Sequence, residues 1–253
     1  MKTWKKILLT AIAVVAVILV IAGLGFVIWG STPLGPMPAA LVAMQSDAQV
    51  QVTTDPWLSF IPAQDAQNTG LIFYPGGHVD PRSYAPMART IAEAGYPVVI
   101  VPMPLNLAVF GIDKATDVIA ATPEVENWVI GGHSLGGSMA AGFIHNNPDA
   151  VDGLVLLASY PAGSDDLSGL SSLVAASLSA SEDGLATPTD IENSRPLLPP
   201  STTWLEIQGG NHAQFGYYGE QPGDGSATIS REDQQRQMID AVLSLLGAAD
   251  SGS

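Results

Sequence analysis

The chain has 253 residues, 24 of them acidic and nine basic, for a formal net charge of −15 at pH 7, and it contains no cysteine. Such a length suits one α/β domain with a substantial core, and the acidic excess argues against nucleic acid as a partner. Without cysteine there is neither a disulfide framework nor a lipidated thiol.

The first element is apolar. Lys2, Lys5 and Lys6 precede Ile7 to Trp29, a run without charge in which Thr10 is the one clearly polar side chain. At helical rise it spans about 34 Å, slightly more than a hydrocarbon core of about 30 Å. Residues 7–29 therefore read as an uncleaved transmembrane signal anchor. A signal peptide removed near Ser31 is the alternative, although its apolar region would be shorter and would end on a small-x-small site. Three lysines before the run, and no further basic residue until Arg82, keep residues 1–6 cytoplasmic and the remainder outside the cell membrane by the positive-inside tendency. The exported part then holds all 24 acidic residues and six of the nine basic ones, a surface that stays soluble and is repelled by anionic headgroups.

Three prolines and a glycine in Ser31 to Pro38 give a stiff linker over residues 30–40. The domain is expected over 41–248, with a disordered tail at 249–253. Ala48 to Thr53 and Trp57 to Ile61 read as an opening antiparallel pair, Gly70 to Tyr74 as a buried strand, and Arg82 to Ala94 as a helix closed by Gly95. A strand at Val98 to Val101, a helix near Asp113 to Ala121, a strand at Asn127 to Ile130 and a helix at Leu135 to Asn146 follow. Strands at Leu154 to Ala158, Val174 to Ser179 and Thr203 to Ile207 precede a last helix from Ile229 to Leu246. This alternation predicts a mostly parallel central sheet with helices on both faces. The short polar stretch between the strands at Leu154 and Val174 leaves no room for a large helical lid.

Chemistry concentrates where the Asn127 strand ends, at Gly132-His133-Ser134-Leu135-Gly136. Gly-x-Ser-x-Gly between a strand and a helix is the pattern of a nucleophile elbow, a sharp turn that lifts a serine hydroxyl clear of the sheet. An ordinary Gly-rich loop is the plain alternative. A nucleophilic serine needs a base, and the base an orienting carboxylate. Of four histidines, His133 lies inside the elbow, pointing away from the serine in a normal turn, while His78 and His145 flank other features. His212 follows the last strand in a Gly-rich loop able to carry its imidazole over Ser134. The order serine, acid, histidine found on folds with this elbow places the carboxylate between Ser134 and His212. Asp183, in a turn after the Val174 strand, is the choice; Glu182 is its neighbour and rival, and Asp165 and Asp166 lie one strand earlier. Leu135 is expected to give one backbone N–H to the oxyanion and Gly77, in Tyr74-Pro75-Gly76-Gly77, the other.

Those segments, with Met-Pro-Leu-Asn-Leu-Ala at 103–108, Ala-Ser-Tyr-Pro at 158–161, Glu-Asp-Gly at 182–184 and Gly-Gly-Asn-His-Ala-Gln-Phe-Gly at 209–216, resemble the α/β-hydrolase superfamily. The closer likeness is to its compact, lidless branch related to dienelactone hydrolase, found in bacteria as small membrane-anchored proteins. It covers about Val50 to Leu246. The resemblance implies an α/β-hydrolase fold and Ser134, Asp183 and His212 as catalytic triad. Dienelactone hydrolase differs in using a cysteine, absent here, so its lactone substrate is not carried over. The resulting expectation is a membrane-tethered, outward-facing serine hydrolase for a small carboxylic ester, thioester or lactone, with no metal or organic cofactor. An amidase or peptidase on the same triad, and a non-catalytic binding protein on the same fold, are the alternatives; oligomeric state stays open.

Overall fold

The computed structural model describes residues 2–251. Its first element is a helix, α1 (Lys2–Gly30), whose stretch Ile7–Gly30 is strongly apolar, with a mean hydropathy of 3.1, and exposed as far as Trp29, Gly30 being buried. Among the described residues it is the one helix long and apolar enough to cross a membrane.

The domain is built on an eight-stranded sheet. In chain order the elements are α2 (Pro38–Ala43), β1 (Val50–Thr53), β2 (Leu58–Pro62), β3 (Thr69–Tyr74), α3 (Ala85–Glu93), β4 (Val98–Ile100), α4 (Lys114–Ala121), β5 (Asn127–His133), α5 (Leu135–Asn146), β6 (Gly153–Leu157), β7 (Val174–Ala180), α6 (Pro188–Ser194), β8 (Thr203–Ile207) and α7 (Arg231–Ser251). The spatial strand order is β1-β2-β4-β3-β5-β6-β7-β8. The pair β1 and β2 is antiparallel, β2 runs antiparallel to β4, and every pairing from β4 onward is parallel. This is the mostly parallel sheet that the alternation of elements predicts, in the α/β-hydrolase arrangement that the resemblance implies.

Two apolar cores flank the sheet, because successive strand residues point to opposite faces. In β3, Leu71 and Phe73 join Met87 and Ile91 of α3 and Met238, Val242 and Leu246 of α7. Ile72 and Tyr74 turn the other way, to Val118 of α4 and Ala140, Phe143 and Ile144 of α5. Both faces of β3 being covered explains its uninterrupted apolar sequence. From β3 the chain first crosses to β4 on one side and then returns to β5 on the other. The crevice at the carboxyl ends of β3 and β5 is thus the topological switch point, where open α/β sheets place their ligands.

Several expectations are revised at the edges of elements. The linker at 30–40 lies against the domain: Leu34 donates its N–H to the His78 carbonyl and Met37 to that of Tyr217, and α2 follows at once. Helix α7 continues to Ser251 with Ala249 buried, so the tail expected from 249 is helical as far as it is described; 252–253 and Met1 lie outside the described residues. Helix α6 opens with a capping box in which Thr187 and Asp190 satisfy each other's backbone N–H groups. The stretch 158–173 contains turns and no helix.

Candidate active site

Ser134 sits between β5 and α5 with φ 52° and ψ −125°, a conformation that costs a non-glycine residue about 1–3 kcal/mol and persists only when its surroundings impose it. Its N–H is held by the Leu157 carbonyl at 3.0 Å, and its carbonyl accepts from Ser159 Oγ at 2.6 Å. The flanking glycines have a steric reason. A Cβ on Gly132 would strike the backbone of Gly136 and Gly137, and one on Gly136 the carbonyl oxygens of Tyr74 and Pro75. Only there can α5 pack this closely on β5 and on the loop after β3.

Asp183, in the turn after β7, and His212, in the loop after β8, meet although 29 residues separate them. His212 Nδ1 lies 2.8 Å from Asp183 Oδ2. The other carboxylate oxygen accepts from the N–H groups of Leu185 and Ala186, both at 2.8 Å. A carboxylate can only accept, so Nδ1 carries the proton and Nε2 of the neutral ring is left with its lone pair. That Nε2 is buried and has no hydrogen-bond partner among the described residues. Both side chains are essentially inaccessible, at 1% and 0%.

Ser134, Leu135 and His212 line one cavity of about 310 Å³, together with Ser138, Ser159, Tyr160, Leu185 and others. No hydrogen bond links Ser134 to His212, so the serine–imidazole contact expected of an active triad is left open, as catalytic contacts in unliganded sites often are. Leu135 is the first residue of α5, and its N–H has no partner within the helix. Gly77 lies against it, with the Leu135 side chain filling the space a Cβ would take. The N–H of the preceding Gly76 is engaged by Tyr84 Oη at 3.0 Å, which singles out Gly77 as the donor candidate on this loop. The rival acids are elsewhere. Glu182 accepts from Ser181 Oγ at the surface, Asp165 from Ser164 Oγ, and Asp166 from the Ser168 N–H.

Three groups around His212 carry no sequence signal of their own. Asp224 accepts from the N–H groups of His212 at 3.2 Å and Ala213 at 2.8 Å, and also from Gly184 at 3.3 Å; one carboxylate thereby bridges the loops of the histidine and the acid. Gln234 of α7 brackets Asn211, accepting from its N–H at 2.9 Å and donating to its carbonyl at 2.8 Å. The third is His133, whose ring lies 4.4 Å from that of His212 between centroids. Its Nδ1 accepts from Tyr84 Oη at 2.9 Å. Burial, and then the charge His212 can carry beside it, hold the His133 imidazole well below its ordinary range.

The sequence pattern described as the Alpha/beta hydrolase family matches residues 70–236. The chain belongs to this family. Among solved structures, the esterase Est2 of Thermogutta terrifontis superposes with a TM-score of 0.55 at 12% identity, covering 78% of this chain and 92% of its own. A fungal esterase of Rhizomucor miehei reaches 0.57 at 13%, covering 84% and 86%. A Klebsiella pneumoniae protein assigned as a dienelactone hydrolase gives 0.53 at 13%, covering 76% and 96%. At such identities these neighbours speak for the fold. No curated protein sequence matches the chain significantly.

Proposed function

We propose that the protein is a serine hydrolase that cleaves a carboxylic ester, thioester or lactone of modest size, tethered to the cell membrane by α1 with its domain outside. The observation that carries this reading is the imidazole of His212: Asp183 fixes its Nδ1 proton, and its free Nε2 is buried beside the cavity that Ser134 lines from a strained elbow. In the proposed reaction Ser134 Oγ attacks the carbonyl carbon while His212 Nε2 takes the hydroxyl proton. The N–H groups of Gly77 and Leu135 hold the oxyanion. Collapse breaks the acyl–oxygen or acyl–sulfur bond, and the leaving group departs with the proton from His212. Water, deprotonated by the same nitrogen, then releases the acid and restores Ser134. Asp183 holds the ring in the useful tautomer and stabilises its cation throughout.

The test is labelling by a fluorophosphonate together with turnover of p-nitrophenyl esters. Ser134→Ala abolishes labelling and lowers turnover by about six powers of ten, leaving the residual rate that the oxyanion donors sustain. Undiminished labelling of that variant overturns the assignment.

A further inference from the structure

The last turn of α1 is seated on the loops that border the site. The Trp29 indole stacks on the His78 imidazole, with centroids 4.2 Å apart and planes 9° from parallel. His78 Nε2 donates to the Trp29 carbonyl at 2.7 Å, and Asn106 Nδ2 donates to the Gly30 carbonyl at 2.8 Å. Phe26 meets Phe110 edge-on at 6.3 Å. His78, Leu105 and Asn106 all have left-handed backbones, with φ of 58°, 53° and 54°, so the seat is a defined conformation held by tertiary contacts. His78 directly follows Gly77. The helix end thus stops one residue from the candidate oxyanion donor.

The exposed large apolar side chains are distributed unevenly. Among the described residues outside α1 they are Leu41, Val42, Val109, Phe110, Tyr160 and Leu185. Tyr160 and Leu185 line the Ser134 cavity. Val109 and Phe110, 46% and 52% exposed, form the turn that touches Phe26. Between the two groups, Leu135, which lines the cavity, and Leu107, two residues before Val109, both crowd Gly77. The span Ile7–Gly30 has 24 residues, about 36 Å at helical rise against a hydrocarbon core of about 30 Å. Little length is left over, so Trp29 and the turn beside it fall at the membrane–water boundary, where aromatic residues concentrate.

We propose that Val109 and Phe110 insert into the membrane interface and that the site takes its substrate from the lipid layer: the ester of a neutral or zwitterionic amphiphile, with its chain among the lipids and its carbonyl at headgroup depth. The acidic surface of the domain disfavours an anionic one. This rests on the reading of Ser134 as an ester-cleaving nucleophile and of α1 as a membrane span. The absence of cysteine permits a direct test. Full-length protein carrying Val109→Cys is labelled with an environment-sensitive fluorophore and reconstituted into phosphatidylcholine vesicles. The emission shifts to the blue and is quenched by shallow spin-labelled lipids; a water-like spectrum overturns the proposal. In the same vesicles Val109→Ser/Phe110→Ser lowers hydrolysis of vesicle-borne p-nitrophenyl palmitate by about tenfold or more, while water-soluble p-nitrophenyl butyrate is still cleaved. Equal effects on the two esters, or none, overturn it as well. If unaltered protein cleaves neither ester, the hydrolase reading itself has failed, and the fluorophore separately reports whether the turn lies in lipid.

Discussion

The rings of His133 and His212 lie 4.4 Å apart between centroids, two imidazoles in a buried site of which one is held by Asp183 and the other by Tyr84. Burial, and then the neighbouring His212, keep His133, which accepts from Tyr84 Oη through Nδ1, neutral.

A consequence appears in stability against pH. His133 is depressed in the fold relative to about 6.5 in the unfolded chain, so between those two values the unfolded chain binds the extra proton and stability rises with pH. Its contribution is present above about pH 6.5 and is lost on acidification, by at most about 1.4 kcal/mol per pH unit. Denaturant melts in detergent at pH 5, 6 and 7.5 compare the protein with His133→Asn, whose amide still accepts from Tyr84. The variant should show the flatter profile; coincident slopes would remove His133 from this role.

Asp183→Asn keeps an acceptor for Leu185 and Ala186 but turns an amide toward His212, favouring the wrong tautomer. Turnover is expected to fall by about four powers of ten, with the melting temperature little changed. The control is Glu182→Gln, which should leave turnover within about twofold, a surface substitution away from the pair. A reversal of the two results would hand the acid role to Glu182.

Asp224 acts through backbone. Asp224→Ala frees the N–H groups of His212, Ala213 and Gly184 at once and loosens the imidazole relative to Ser134. A fall in kcat of about 10–100-fold with KM nearly unchanged is expected. A change confined to KM would mean that it shapes the cavity instead.

Cell fractionation checks the tether and its sidedness. The protein should sediment with membranes, resist a high-salt wash, and be open to protease added outside intact cells. Recovery of a soluble protein beginning near Ser31 would show that α1 is removed as a signal peptide.

Much of this architecture is legible in local sequence. Helix α5 and strand β8 have the bounds their periodicity predicts, and the Gly132 and Gly136 pattern marks the elbow because only glycine allows the approach to Tyr74 and Pro75. What escapes is of two kinds. Short elements such as α6 carry a start signal, Thr187-Pro188-Thr189-Asp190, without the apolar run that would announce a helix. Side chains such as Asp224, Gln234 and Tyr84 matter through contacts made across the fold, and nothing in their neighbours reports it. Proline and glycine in Ser31 to Pro38 suggest a non-helical spacer, but α2 opens at Pro38 itself, as proline at a first helical position allows, and they cannot say that the backbone will pair with His78 and Tyr217.

The sheet divides the chemistry unequally. Ser134 rises from β5, which has neighbours on both sides, whereas His212 follows β8, the outermost strand, and Asp183 lies in the turn after the strand next to it. Local opening costs least at such a margin. On the proposed mechanism, fraying of β8 would therefore carry His212 away from a Ser134 whose own scaffold is still intact, so the molecule can fall silent while nearly all of it remains folded.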